Sequence, residues 1–200
     1  MNKVNLQKSD LLFFLGDYVD RGPSSSGILD LILDLQKNNY AVFPLRGNHE
    51  QMLLDTALYN PEELENQARM NNTKDLLDGI QLKTEYFNFL STLPYYYELD
   101  DCFLVHAGFN FDARNPFEDY YAMLWVRGFV PDNRWLNDKP VIHGHDPATM
   151  EEIEGSIRHK KLKMPLDNGC VHYGIRPGMG NLLCLNLDTM QLLIQENIDH

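Results

Sequence analysis

The sequence predicts an α/β fold in which short buried strands carry polar residues to one edge of a sheet. Three observations support this. Short apolar runs recur at Leu11–Leu15, Tyr40–Leu45, Cys102–Val105 and Val141–Ile142. The segment between the first two has helical spacing. Each run stops at a polar turn that offers Asp, Asn or His, and open α/β sheets build their sites beyond the carboxyl ends of their strands.

The first stretch is LLFFLGDYVDRG, Leu11 to Gly22. Its apolar residues fit a strand buried on both faces. Gly16 allows a sharp turn, so that Asp17, Asp20 and Arg21 leave the strand end in a loop. Ser24 or Ser25 can cap the next helix, with Ile28, Leu31, Ile32 and Leu35 as its apolar face and an end near Asn38 and Asn39. With the run from Tyr40 to Leu45 this makes a β-loop-α-β unit, for which a right-handed crossover is expected.

The second run ends in RGNHE, Arg46 to Glu50, before a helix through MLLDTAL. Asn48 with Gln51 three residues on resembles a capping pair, which leaves His49 unexplained. Residues 61–70 and 82–93 are predicted helices, the second packing through Tyr86, Phe87, Phe89 and Leu90. The third run ends in His106-Ala107-Gly108 and the fourth in His143-Gly144-His145. Leu182–Leu187 and Met190–Gln195, joined by Asp188 and Thr189, predict a closing hairpin.

A length of 200 residues fits one domain over residues 1–200 with a real core. A net charge of -12, from 29 acidic and 17 basic residues, argues against a nucleic-acid partner. The basic cluster His159 to Lys163 reads as a solvated strand or loop. No apolar run is long enough to span a bilayer, so no membrane partner is expected. MNKVNLQKSD lacks the apolar region of a secretory signal, which makes the cytoplasm the expected location. Cys102, Cys170 and Cys184 form an odd set without CxxC spacing, expected to be reduced packing residues.

One histidine at a strand end is commonly a hydrogen-bonded core or loop residue. Four runs that each deliver a ligand type call for another explanation. Oxygen donors from Asp17 and Asn48 with imidazoles from His106 and His145 make a mixed set that suits Mn, Fe or Zn better than Ca or Mg, while the lack of cysteine argues against a structural zinc site. Asp17 can bridge two ions, and a pair of ions roughly 3.5 to 4 Å apart would clamp a phosphoryl group and make hydroxide available near neutral pH. Arg21 and Arg127 suit the equatorial phosphate oxygens. His49 is the natural proton donor to the leaving group, with Asp20 keeping it protonated and oriented. A surface pairing of Asp20 with Arg21 would be worth little and would leave His49 without a role.

GDYVDRG, RGNHE, the HAG after FLV, LWVR at Leu124 to Arg127, HGH and the late LDNGC occur in that order over nearly the whole chain. Together they resemble the phosphoprotein phosphatase family of calcineurin-like metallophosphoesterases, particularly its bacterial serine/threonine phosphatases. The resemblance implies a four-layer α-β-β-α sandwich with a dinuclear metal centre, manganese first among the candidate ions. It implies that Asp17 bridges, that Asn48, His106 and His145 complete one metal site, that Asp20 and His49 donate the proton, and that Arg21 and Arg127 bind phosphate. It assigns nothing to His143. It also implies a G-D-x-H-G strand before Leu11, absent here; the chain is therefore expected to be N-terminally truncated, with weak or absent activity. The implied substrate is a phosphoprotein or a small phosphate ester. The alternatives are a symmetrical diadenosine tetraphosphate hydrolase and, from another class, an inactive metal-binding fragment or binding module.

Overall fold

Leu11–Phe14 forms strand β1, Ser25–Lys37 helix α1 and Ala41–Pro44 strand β2, and the two strands pair in parallel from Leu11 with Ala41 to Phe14 with Pro44. This is the expected β-loop-α-β unit. Ser24 is the N-cap, its side chain accepting from the Gly27 amide. The computed structural model describes residues 3–199. The chain forms two compact units, Asn5–Pro94 and residues 95–199, the latter with Lys3 and Val4.

Two details of the opening unit differ from expectation. The buried stripe of α1 is Leu29 and Ile32, with Leu33 and Leu35 partly buried, whereas Ile28 and Leu31 are 43% and 39% exposed. Leu29, Ile32 and Leu33 also follow helical spacing, so periodicity alone could not choose between adjacent faces. Strand β1 is only half-buried, and Leu11 is 63% exposed. Its sheet has two strands, so it lacks the flanking cover of a central strand.

The first unit continues with helix α2, Asn48–Tyr59, and helix α3, Leu64–Asn71. A two-residue hairpin of β3, Leu77–Asp78, with β4, Gln81–Leu82, then leads to helix α4, Thr84–Ser91. Helix α2 is capped by Gly47, with Glu50 as the third helical residue accepting from the Gly47 amide at 2.8 Å, instead of by an Asn48 and Gln51 pair. Arg46 satisfies the end of α4, its guanidinium donating to the carbonyls of Leu90 and Ser91 at 3.2 and 2.7 Å. A cation at a helix carboxyl end is favoured by the helix dipole. The core of this unit is aliphatic, built on Leu29, Ile32, Leu53, Leu64, Leu76 and Leu90.

In the second unit β5, Tyr96–Glu98, pairs antiparallel with β6, Phe103–Val105. Helices α5, Tyr120–Trp125, and α6, Asn133–Leu136, follow. Strand β7, Val141–His143, and, after helix α7, Met150–Arg158, strand β8, Lys163–Pro165, extend the sheet in parallel in the order β5-β6-β7-β8. Strand β7 runs one residue further than its apolar stretch and takes in His143. Strands β9, Asn181–Asn186, and β10, Gln191–Glu196, form the expected hairpin. Lys160 and Lys161 lie exposed in the turn between α7 and β8, as the solvated-loop reading expects.

Aromatic rings build this second core. Phe109 is fully buried and meets Tyr96, Phe103 and Phe117 edge-on at ring-centroid distances of 5.7, 5.9 and 5.3 Å. Among the described residues no helix is long and apolar enough to cross a membrane. The three cysteines are free.

Cys102 leads into β6 and is 5% exposed; burial, with the charge of Asp101, pushes its thiol up to about 11 from the usual 9.0. A pKa raised by folding contributes stability that is whole below the unfolded value and is lost as pH rises through the folded one. Thermal melts should therefore show a loss of stability between about pH 9 and 11 that is smaller in Cys102→Ala. Equal alkaline losses in the two proteins would contradict this account.

Candidate functional site

The loop after β1 is built from unusual backbone. Asp17, Asp20 and Arg21 have φ of 59°, 74° and 65°. Left-handed geometry costs a side-chain-bearing residue roughly 1–2 kcal/mol, so such residues persist only where the surroundings over-determine them.

Glu50 does so. It is fully buried, and its carboxylate accepts from the amides of Asp17, Tyr18, Val19 and Gly47 at 2.8, 2.7, 3.2 and 2.8 Å. Burial and the charge of Asp17 push its pKa up to about 7, against the opposing pull of these backbone donors. Tyr18 closes the other side, its hydroxyl donating to the Leu45 carbonyl at 2.6 Å. The loops after β1 and β2 are thereby joined by one carboxylate. Gly47 completes the fit, since a Cβ there would lie 2.2 Å from Asp17 Oδ1 and 2.4 Å from the Asp17 nitrogen.

Sequence reasoning gave Glu50 no role. Its only local signal is a carboxylate at the third position of a helix that begins at a strand end. Glu50→Gln replaces an accepting oxygen with an NH2 group that faces two backbone donors. It should lower the unfolding free energy by about 1–3 kcal/mol in urea denaturation, the cost of leaving buried groups unpaired. Unchanged stability would show that the loops do not depend on the carboxylate.

Within this framework Asp17 Oδ1 accepts from the His49 amide at 3.3 Å, and the His49 ring Nδ1 lies 2.5 Å from Asp20 Oδ2. The two side chains are 10% and 3% exposed. Burial pulls the His49 pKa down. The Asp20 hydrogen bond and the charges of Asp17 and Asp20 outweigh it, and the net shift is upward. Asp20 is itself fixed through its amide, which donates to Ser25 Oγ at 3.2 Å. Asn48 is buried beside His49, and Arg21 is exposed, with its amide donating to the Asn71 carbonyl at 2.8 Å. The first unit thus gathers Asp17, Asp20, Arg21, Asn48 and His49.

The second unit brings together His106, after β6, and His145, after β7, with ring centroids 5.0 Å apart. The Gly144 amide donates to the His106 carbonyl at 2.8 Å and joins their two loops. His145 has a φ of 65°, another left-handed residue at a strand end. Gly108 cannot carry a side chain, because a Cβ would lie 2.3 Å from the Phe129 ring. Arg127 pairs with Asp146 at 3.2 Å while its side chain stays 58% exposed.

His143 is a core residue. It is 1% exposed, packs edge-on against Phe129 at 5.2 Å and has Nδ1 2.9 Å from the Gly144 carbonyl. Burial pushes its pKa down to about 4, so it is neutral at ordinary pH. Asn168 explains part of LDNGC, a motif otherwise without a role. Buried at 1%, it donates to the Ala148 and Gly178 carbonyls and accepts from the Asn181 backbone and side chain. It holds the loop after β8 in one conformation.

Each unit therefore holds part of the expected donor set: oxygen donors from Asp17 and Asn48 in the first, imidazoles from His106 and His145 in the second. The mixture of hard oxygen and imidazole nitrogen fits a transition-series divalent ion.

The chain matches the calcineurin-like phosphoesterase family over residues 1–185. It is 32% identical over 183 residues to the asymmetrical bis(5'-nucleosyl)-tetraphosphatase PrpE of Anoxybacillus flavithermus (strain DSM 21510 / WK1), covering 82% of this chain and 72% of that protein. In fold it is similar to a crystal structure solved as a candidate diadenosine tetraphosphatase, with a TM-score of 0.65 and 21% identity over 100% of this chain and 86% of the other. It is also similar to a protein serine/threonine phosphatase from Saccharomyces cerevisiae, with a TM-score of 0.53 and 19% identity over 95% and 71% of the two chains. The extent of the family match and the identity to the PrpE protein lead to one assignment: the chain belongs to the calcineurin-like phosphoesterase family.

Proposed function

We propose that this phosphoesterase hydrolyses dinucleoside tetraphosphates, with Asp17, Asn48, His106 and His145 as its metal ligands. The observation that carries the substrate is the 32% identity to a bis(5'-nucleosyl)-tetraphosphatase. That relative also favours asymmetrical over symmetrical cleavage. Proteins of this family use divalent metals, and manganese suits the donor set. When bound, the metal supplies Lewis acidity and lowers the pKa of water.

The chain's own residues do the rest. Arg21 and Arg127 hold phosphate oxygens in the planar fork geometry of guanidinium. Asp20 holds the His49 ring in one orientation and favours its protonated form. As water adds to phosphorus and the bond to the leaving oxygen breaks, His49 passes its proton to that oxygen.

A second reading, a serine/threonine phosphatase, is favoured by the His49 and Asp20 pair itself. An alkoxide leaving group needs a proton far more than the departing phosphate oxygen of a polyphosphate does. The test is manganese-dependent turnover of diadenosine tetraphosphate and of a phosphoserine peptide under the same conditions, with the nucleotide products separated by chromatography. Faster nucleotide release with unequal products supports the first reading. Peptide dephosphorylation with the dinucleotide left intact would replace it by the second.

A further inference from the structure

Helix α5 carries a run of rings that no part of the proposed hydrolytic machinery uses. Tyr121 is 74% exposed and stacks on Trp125 one turn away, with centroids 6.2 Å apart and planes 26° from parallel. Trp125 meets His145 edge-on at 6.3 Å. Single exposed apolar side chains are ordinary on a protein surface; here the exposed ring is linked through Trp125 to a candidate metal ligand. Tyr120, the other exposed ring of this turn, is anchored by stacking on Tyr95 at 4.6 Å, which leaves Tyr121 as the open end of the path. Two residues beyond Trp125 stands Arg127, whose guanidinium spends one contact on Asp146 and is otherwise largely open to solvent.

We propose that Tyr121, backed by Trp125, is a stacking platform for a nucleobase of the substrate. A ligand whose phosphates lie at His145 and Arg127 has its next group beside Trp125 and Tyr121. A planar base joined to phosphate through a sugar fits that order of groups, and base-on-aromatic stacking tolerates any base because each has a π face. The side chain of phosphoserine offers no ring to the platform. The inference rests on the nucleotide reading given above and deepens it. It assigns recognition of the nucleoside to one helix turn of the second unit.

The binding test uses Trp135→Phe protein, so that emission reports Trp125 alone, titrated in manganese buffer with AMP and with ribose 5-phosphate. AMP is expected to quench the emission and bind more tightly than the sugar phosphate. Tyr121→Ala should weaken AMP binding about 5- to 150-fold, the range for losing one base stack, and leave ribose 5-phosphate unaffected. Tyr121→Phe should behave as the parent. In turnover, Tyr121→Ala should raise KM for diadenosine tetraphosphate at unchanged kcat, with KM for inorganic tripolyphosphate unmoved. AMP and ribose 5-phosphate binding alike, or AMP binding indifferent to Tyr121→Ala, would overturn the platform whatever the protein hydrolyses. AMP binding that depends on Tyr121, in a protein that leaves diadenosine tetraphosphate intact, upholds the platform and removes the dinucleoside tetraphosphate reading.

Discussion

His49→Ala should lower kcat on an alkyl phosphate such as a phosphoserine peptide by about 10²- to 10⁴-fold, the usual worth of a positioned general acid. The same variant should lose much less on p-nitrophenyl phosphate, whose leaving group departs as a stable phenolate. The contrast follows from geometry. The His49 ring is held by Asp20 at 2.5 Å while its amide is held by Asp17, so the imidazole is fixed at the edge of the loop that carries the candidate metal ligand. Asp20→Asn keeps a hydrogen-bonding shape but removes the charge that favours the imidazolium, and it should show the same substrate dependence at smaller amplitude. Steady-state kinetics on the two substrates decides the matter. Equal losses on both would assign His49 to binding or folding, because only proton donation distinguishes the leaving groups.

His106→Ala should weaken manganese binding by more than about 100-fold, read by titration calorimetry or by the electron paramagnetic resonance of free ion. Removing a residue that merely orients a ligand already costs about 10- to 100-fold, and His106 is proposed as a ligand itself. Hydrolysis should fall with occupancy and recover in part at high manganese. Because His106 is 1% exposed, its removal also leaves a small cavity, so a melting curve must accompany the titration. A folded variant that binds manganese like the parent would take His106 out of the donor set. Treatment of the parent with a chelator should abolish turnover, and added manganese should restore it.

Much of this arrangement was legible because the candidate site residues sit where short apolar runs end. Asp17, Asn48, His106 and His145 follow β1, β2, β6 and β7, and the pattern of a strand followed by a polar turn marks such places without any knowledge of packing. The hairpin of β9 and β10 was legible for a similar reason, two strand-length runs around a turn. Strands β5 and β8 were not. Each has three residues, YYE and KMP, too few for a period to show. On α1 the apolar residues outnumber one stripe, so the sequence places Ile32 and Leu35 inward correctly but not Ile28 and Leu31, and only the packing partners select Leu29. Glu50 was invisible as a tertiary device because three of its four amide donors lie more than thirty positions away in sequence. Tyr121 gives no comparable signal, because exposure and stacking cannot be read from one letter.

The left-handed residues after β1 also bear on how this protein would respond to selection for heat resistance. At Arg21, with φ of 65°, glycine would relieve backbone strain and keep the hydrogen bond that the residue 21 amide donates to the Asn71 carbonyl. Arg21→Gly should therefore be neutral or mildly stabilising while it removes the proposed phosphate ligand. A screen that scores only melting temperature would enrich such changes, since stabilising substitutions often collect where function has kept a strained conformation. A screen that scores turnover would reject them. Comparing the survivors of the two screens would map, position by position, where the chain has traded durability for catalysis.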